Sequence, residues 1–177
     1  MEKAERLDRA LVRKCRIFDL YKDTIKTQDG HVVQYDFIWH KGAAAVVPVR
    51  ADGKILMVKQ YRNAVDRFTL EIPAGGKDGA EEPPYDCAMR ELEEETGYRT
   101  DKLEHLIDVY SAVAYCNEKI SVYVAENLIP SRQKLDEDEF IDVEAVSLEE
   151  LTDMIFDGSI MDSKTIAAIL AYKEKYR

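Results

Sequence analysis

No stretch of this chain approaches the roughly 18 consecutive apolar residues of a membrane span, and its first segment, MEKAERLDRALVRK, carries no apolar core of a signal peptide. Neither a membrane role nor an exported destination is expected. Cysteine is sparse: Cys15, Cys87 and Cys116 are an odd number at wide spacings, which suits neither a disulfide framework nor a structural zinc site. A reducing cytoplasm is the expected setting. Positive charge is also short, with 25 Lys and Arg against 35 Asp and Glu for a formal net charge of −10. A nucleic-acid backbone would meet repulsion over most of such a surface, so sequence-independent nucleic-acid binding is disfavoured. A small phosphorylated molecule stays admissible where a metal ion or a local basic pocket supplies the missing charge. Linkers rich in Gly, Ser and Pro, internal repeats and low-complexity tracts are lacking as well. The 177 residues are therefore expected to fold as one domain.

What is present reads as interleaved strands and helices. Cys15 to Tyr21 and Asp23 to Thr27 have β-compatible alternation, and the turn Gln28-Asp29-Gly30 leads into a run from His31 to Trp39. This predicts an N-terminal antiparallel meander over residues 1–42. The apolar run Ala43 to Val49, the Asp52-Gly53 turn and Ile55 to Gln60 read as a hairpin of buried strands at the start of a core over residues 43–177. Pro83-Pro84 opens a helix with its body at Tyr85 to Thr96, and Gly97 closes it. Strand-like runs follow at Leu106 to Tyr110, Ile120 to Ala125 and Val143 to Val146. Ser147 to Glu150 forms a capping box for a helix near Leu148 to Phe156, and Ser163 starts a last helix that runs to about Tyr176. The expected class is α/β, a mixed sheet with helices on both faces.

The chemistry concentrates on the first helix. Glu91, Glu94 and Glu95 stand at i, i+3 and i+4, which puts three carboxylates on one helical face. Such like charges repel unless a cation sits among them, and hard oxygen ligands suit Mg²⁺ or Mn²⁺. A Glu-rich face taken alone would read as solvated charge. The surrounding pattern argues otherwise. Gly76, five residues, Glu82, seven residues, Arg90-Glu91-Leu92, one residue, Glu94-Glu95, one residue and Gly97 resembles the signature of the Nudix hydrolases. Tyr98 is aromatic where that signature more often has an aliphatic residue. Agreement at this many positions arises by chance on the order of once in a million chains at typical residue frequencies.

The resemblance implies a Nudix fold and a metal-dependent pyrophosphohydrolase. It makes Glu91 and Glu95 principal metal ligands, Glu94 an additional ligand or a support for them, and the Gly75 carbonyl a backbone ligand. Arg90 and Glu82 then hold the carboxylates in their working rotamers through bidentate hydrogen bonds.

The likeness extends to the ADP-ribose pyrophosphatase branch through three stretches. These are Val58 to Arg62 followed by Leu70 to Gly75, Asn117 to Ile120 with the acidic run Lys134 to Ile141, and Ser159 to Ala168. It places Arg62, Glu71, Phe18 and Tyr35 on the substrate, the two aromatics by stacking on a nucleobase. It also implies that Glu137 and Glu139 supply a general base and a further metal contact. A Mg²⁺-bound water must lose a proton before it attacks phosphorus, which is the task such a loop acid would perform. The implied substrate is ADP-ribose, cleaved to AMP and ribose 5-phosphate by a homodimer whose subunits meet through the meander. Where the branch carries a Ser-Pro-Gly-like turn this chain has Ala112-Val113-Ala114, and a UDP- or GDP-hexose stands as the alternative substrate. A Nudix-fold nucleotide sensor without turnover is the alternative of another class. All four glutamates of the signature are in place, which favours catalysis.

Overall fold

The computed structural model describes residues 3–137 and 139–177. The chain starts with a three-stranded antiparallel sheet of β1 (Glu5–Lys14), β2 (Asp19–Lys26) and β3 (Val32–Trp39), with β2 in the middle. The next sheet is mixed, in the order β7 (Ala74–Gly76), β4 (Ala43–Pro48), β10 (Lys119–Ala125) and β9 (Leu103–Tyr110). Its β4 and β10 run parallel with Ala45 opposite Val122, and the outer pairs are antiparallel. A third sheet is antiparallel, with β5 (Ile55–Arg62) between β12 (Ile141–Val146) and β6 (Arg67–Glu71). The short strands β8 (Tyr98–Arg99) and β11 (Ile129–Pro130) pair with each other. Three helices complete the fold: α1 (Pro84–Thr96), α2 (Leu148–Phe156) and α3 (Ser163–Tyr176).

Alternation along β4 decides which layer each residue joins. Ala44 and Val46 pack with Cys87, Ala88 and Leu92 of α1. Ala43, Ala45 and Val47 turn the other way, into a larger core with Ile55, Met57, Leu151 of α2 and Ala168, Ile169 and Tyr172 of α3. With α1 on one face and α2 and α3 on the other, both faces of the mixed sheet are covered. β4 is accordingly buried along its whole length, which is why it reads as an unbroken apolar run rather than an alternating one.

Three expectations need correction. β4 and β5 do not form a hairpin: they lie in different sheets and share only the isolated bridge Val49–Ile55. Gly53, with φ of 80°, turns the chain out of one sheet and into the next, so the turn residue was recognised but the pairing was not. In the meander, Cys15 to Phe18 is a turn closed by the Cys15 N–H on the Phe18 carbonyl at 3.0 Å, and one continuous strand follows it. The first strand of the meander is the earlier segment Glu5–Lys14, exposed along nearly its whole length. It therefore lacks the apolar alternation by which a half-buried strand is recognised. β9 and β12 also begin earlier than expected, at Leu103 and Ile141, both buried at the ends of their strands.

Candidate active site

Helix α1 enters from Pro83, whose extended backbone and the following proline suit a first turn, and ends at Gly97 in the left-handed region with φ of 70°. Between these caps the stripe that faces the sheet contains Cys87, Ala88, Leu92 and, among these apolar neighbours, Glu91 and Glu95. Both carboxylates are buried, at 8% and 5% exposure. Burial pushes Glu91 up to about 7, with Glu94 and Glu139 adding to the effect and Arg90 opposing it. Burial likewise pushes Glu95 up to about 8, with the charges of Glu91 and Glu139 adding. Two acids under-compensated in this way, beside a third, are a costly arrangement for a fold alone.

The strand β7 passes close above them. The Ala74 N–H donates to Glu95 Oε2 at 2.9 Å. A Cβ on Gly75 would lie 2.1 Å from the Glu91 carboxylate, so only glycine lets the backbone come this near. Arg90 ties the rest together: Nη1 donates to Glu91 Oε1 at 2.7 Å and to Glu94 Oε2 at 2.9 Å, Nη2 to the Gly76 carbonyl at 3.1 Å, and Nε to Glu82 Oε1 at 3.4 Å. Glu82 accepts from the Asp78 N–H at 2.6 Å, which closes the loop before the helix. Surrounded by these carboxylates, the Arg90 guanidinium is held strongly protonated.

These side chains open onto a cleft of about 610 Å³, whose walls include Gly75, Glu91, Glu95, Arg62, Glu139 and Lys164. A divalent cation fits the donors: two buried carboxylates short of positive charge, and a backbone brought close by a glycine that nothing larger could replace. Among the described residues no three His, Cys, Asp or Glu side chains gather into a ready-made cage. The set facing the cleft is instead Glu91 and Glu95 with Gly75, and Glu139 near enough to raise both acids.

Cationic groups share the lining of this cleft with the carboxylates. Arg62 Nε and Nη2 donate to the two oxygens of Glu71, each at 2.8 Å. Glu71 also accepts from Thr69 Oγ1 at 2.7 Å and from Lys164 Nζ. Although burial opposes ionisation, Arg62 and Lys164 together bring the Glu71 carboxyl down to about 2. Because its folded value lies below the ordinary one near 4.5, the stability it contributes is complete above that range and is lost as pH falls toward 2. Glu71→Gln should accordingly cost about 2 to 4 kcal/mol at pH 7, the scale for breaking a buried pair reduced for the half-exposed Arg62. The gap from wild type should narrow below the ordinary carboxyl value near 4.5 and close only toward pH 2, as the wild-type carboxyl itself becomes protonated. Urea unfolding across pH 2 to 7 measures this, and equal stability at pH 7 would contradict it.

Of the residues expected at the site, Gly75, Arg90, Glu91, Glu95, Arg62 and Glu139 line the cleft. Glu71 and Glu94 hold Arg62 and Arg90, respectively. Glu137 is exposed and stands outside the lining, whereas Asp136 and Glu139 are part of it. Asp138 of the same acidic run lies outside the described residues. Phe18 and Tyr35 do not reach the cleft of their own chain; the turn before Phe18 sends Arg16 and Ile17 there instead. Lys164, His40, Lys41 and Glu118 also line it; Lys164 and Glu118 fall within stretches that carry the resemblance, but the sequence assigns none of the four a role. The one usable hint was the Asp162-Ser163-Lys164 start of the last helix.

Residues 39–168 match the NUDIX domain family. ADP-ribose pyrophosphatase of Bacillus subtilis (strain 168) is 39% identical over 156 residues, covering 87% of this chain and 84% of that protein. GDP-mannose pyrophosphatase of Yersinia enterocolitica is 32% identical over 163 residues, covering 84% of each. A crystal structure of an ADP compounds hydrolase superposes with a TM-score of 0.86 over 98% of this chain and 94% of that one, at 23% identity, and so shares the fold.

Proposed function

Because this chain belongs to the NUDIX domain family and is a Nudix pyrophosphohydrolase, we propose that it cleaves ADP-ribose to AMP and ribose 5-phosphate, with Mg²⁺ as its metal and Mn²⁺ as a substitute. The observation that carries this reading is the pair of buried acids, Glu91 and Glu95, pressed against Gly75 inside a cleft that Arg62 and Lys164 also line. Glu91, Glu95 and the Gly75 carbonyl would hold the metal, Glu94 and Glu139 being the further carboxylates within its neighbourhood. A divalent cation bound there supplies charge neutralisation of the diphosphate and acidifies a water.

The chain's own groups do the rest. Arg90 fixes the rotamers of Glu91 and Glu94, so that both carboxylates are aimed before substrate arrives. Arg62, clamped on Glu71, presents its remaining N–H groups to a phosphoryl oxygen. Glu139, whose carboxylate accepts from the Asp136 N–H at 3.2 Å, takes up the proton of the attacking water. Glu137 sits beside it in the loop as a relay to solvent. Charge repulsion is met by groups already fixed in place before substrate arrives, so that little reorganisation is left for the reaction itself.

Assembly and setting follow from the same reading. The three-stranded N-terminal sheet exposes Leu11, Tyr35 and Trp39, which supports a homodimer in which residues 1–42 are the joining element and Tyr35 and Phe18 serve the partner's nucleobase pocket. Three free cysteines support a cytoplasmic protein. Among the described residues no helix is long and apolar enough to cross a membrane, and the net charge of −10 speaks against a nucleic-acid partner.

A nucleotide sugar is the second reading, favoured by the likeness to a GDP-mannose pyrophosphatase and by Ala112-Val113-Ala114 where a proline turn is usual in ADP-ribose pyrophosphatases. A phosphatase-coupled release assay with ADP-ribose, GDP-mannose and UDP-glucose separates the two. ADP-ribose is expected to give the highest kcat/KM; a GDP- or UDP-hexose ranking first would transfer the assignment.

A further inference from the structure

Residues 40–42 join the N-terminal sheet to β4, and the loop of residues 111–118 joins β9 to β10. The two meet beside the cleft. Ile38 and Cys116 form an isolated parallel bridge, in which the Ile38 N–H donates to the Tyr115 carbonyl at 2.7 Å and the Asn117 N–H to the Ile38 carbonyl at 3.3 Å. Past that bridge the Asn117 side chain continues the pairing. Its Oδ1 accepts from the His40 N–H at 2.7 Å and its Nδ2 donates to the His40 carbonyl at 3.1 Å, so one primary amide stands in for the main chain of a neighbouring strand.

Neither segment that Asn117 joins is stiff by composition. Ala112-Val113-Ala114 contains no proline and forms a single turn, with the Ala112 carbonyl accepting from the Tyr115 N–H at 3.2 Å and the Cys116 N–H at 2.9 Å. One such turn is marginal unless something outside it holds it. On the linker side, the Gly42 N–H donates to His40 Nδ1 at 3.1 Å, and the Gly42 carbonyl accepts from the Lys77 N–H at 3.1 Å, directly after β7 with its Gly75. The Asn117 amide thus connects the end of β3, the β9–β10 loop and the strand above the buried acids. Asn117 is not itself in the cleft wall, but its neighbours on both sides are: His40 and Lys41 from the linker, Ser111 and Glu118 from the loop.

We propose that Asn117 is a positioning residue for the substrate: by clasping the His40 main chain it sets the spacing between the linker and the β9–β10 loop, and with it which group beyond the diphosphate is accepted. The proposal rests on the pyrophosphohydrolase reading for the ligand's class and adds where selectivity is set. The diphosphate is common to every such substrate, so the acids of α1 that serve it cannot tell one substrate from another. Discrimination comes from walls that meet the remainder of the molecule, and the Asn117 amide fixes one of them.

The test compares wild type with Asn117→Ala. Hydrogen exchange of residues 38–42 and 111–118 should speed up about fivefold to tenfold, the scale of one lost hydrogen bond, while α1 keeps its rates. Isothermal titration with the α,β-methylene analogue of ADP-ribose, which binds without being cleaved, should show affinity weakened by about the same factor. With substrate, KM should rise while kcat and the Mg²⁺ requirement change little, because the metal acids are untouched. The ratio of kcat/KM for ADP-ribose over GDP-mannose should fall about tenfold toward unity, the scale of one pocket contact. A side chain with a purely structural role would lower the thermal midpoint and leave KM and that ratio as they are. Should Asn117→Ala fail to fold, Asn117→Asp, which keeps the acceptor for the His40 N–H and loses the donor, should show the same changes on a smaller scale.

Unchanged affinity, KM and substrate ratio in the folded variant would overturn the positioning role and leave the hydrolase reading standing. A wild type that cleaves no nucleoside diphosphate derivative, yet binds the analogue in an Asn117-dependent way, would overturn that reading and keep the role. Neither binding nor cleavage by the wild type would overturn both.

Discussion

Glu95→Gln should leave the chain folded and lower turnover at least about a hundredfold, because charge lost from a metal site is worth several kcal/mol in the transition state. The substitution is nearly isosteric, and the amide oxygen can go on accepting from the Ala74 N–H, now 2.9 Å from Glu95 Oε2. It also replaces a carboxyl whose ionised form is penalised by burial and by the charges of Glu91 and Glu139, so the thermal midpoint of the metal-free protein should stay level or rise. Opposite signs for activity and stability mark a residue retained for chemistry and not for the fold. A merely structural carboxylate would show the reverse, lower stability with turnover kept. Steady-state rates at saturating Mg²⁺ and a thermal melt of the metal-free protein, where bound metal adds no stability of its own, decide between them.

Glu139→Gln should lower kcat about a hundredfold or more, within the range for losing a general base, while KM moves little. Glu137→Gln should stay within a few-fold of wild type. The difference comes from the loop's shape. The Glu139 N–H donates to the Asp136 carbonyl at 3.0 Å and its carboxylate accepts back from the Asp136 N–H, a tight turn that directs Glu139 into the cleft and leaves Glu137 outside it. The root of the loop is fastened to the helix that carries the acids: the Lys134 N–H donates to the Glu94 carbonyl at 2.9 Å, and the Gln133 side chain donates to the Glu95 carbonyl at 2.7 Å. A large kcat loss at Glu137 with none at Glu139 would reverse these roles.

How much of this was legible beforehand follows the range over which each feature is encoded. Helix α1 could be read because its caps, its buried stripe and its acids all repeat within 14 residues, Pro84 to Gly97, and one helical period places them. The acidic loop was found as composition, but its direction depends on a turn between Asp136 and Glu139 that composition does not encode. β4 and β5 read as buried strands but not as members of different sheets, since a continuous apolar run says that a strand is covered on both faces and nothing about its neighbours. β1 was passed over because a strand exposed on both faces has no apolar period. Lys164 meets Glu71 across 93 positions, a distance over which neither periodicity nor spacing carries a signal. Phe18 and Tyr35 were assigned by likeness to sites completed by a second subunit, and a single chain leaves them away from its own cleft.

The proposed activity depends on Glu91, Glu95 and Gly75 forming a metal site at which a pyrophosphate is hydrolysed. The most direct measurement is AMP formed from ADP-ribose, quantified by chromatography, with Mg²⁺, with EDTA and with Mg²⁺ restored after EDTA. Stoichiometric AMP and ribose 5-phosphate with Mg²⁺, none with EDTA and full recovery on restoring the metal is the predicted result. AMP formed at an unchanged rate in EDTA, or no cleavage of ADP-ribose, GDP-mannose or UDP-glucose under any metal condition, would contradict it.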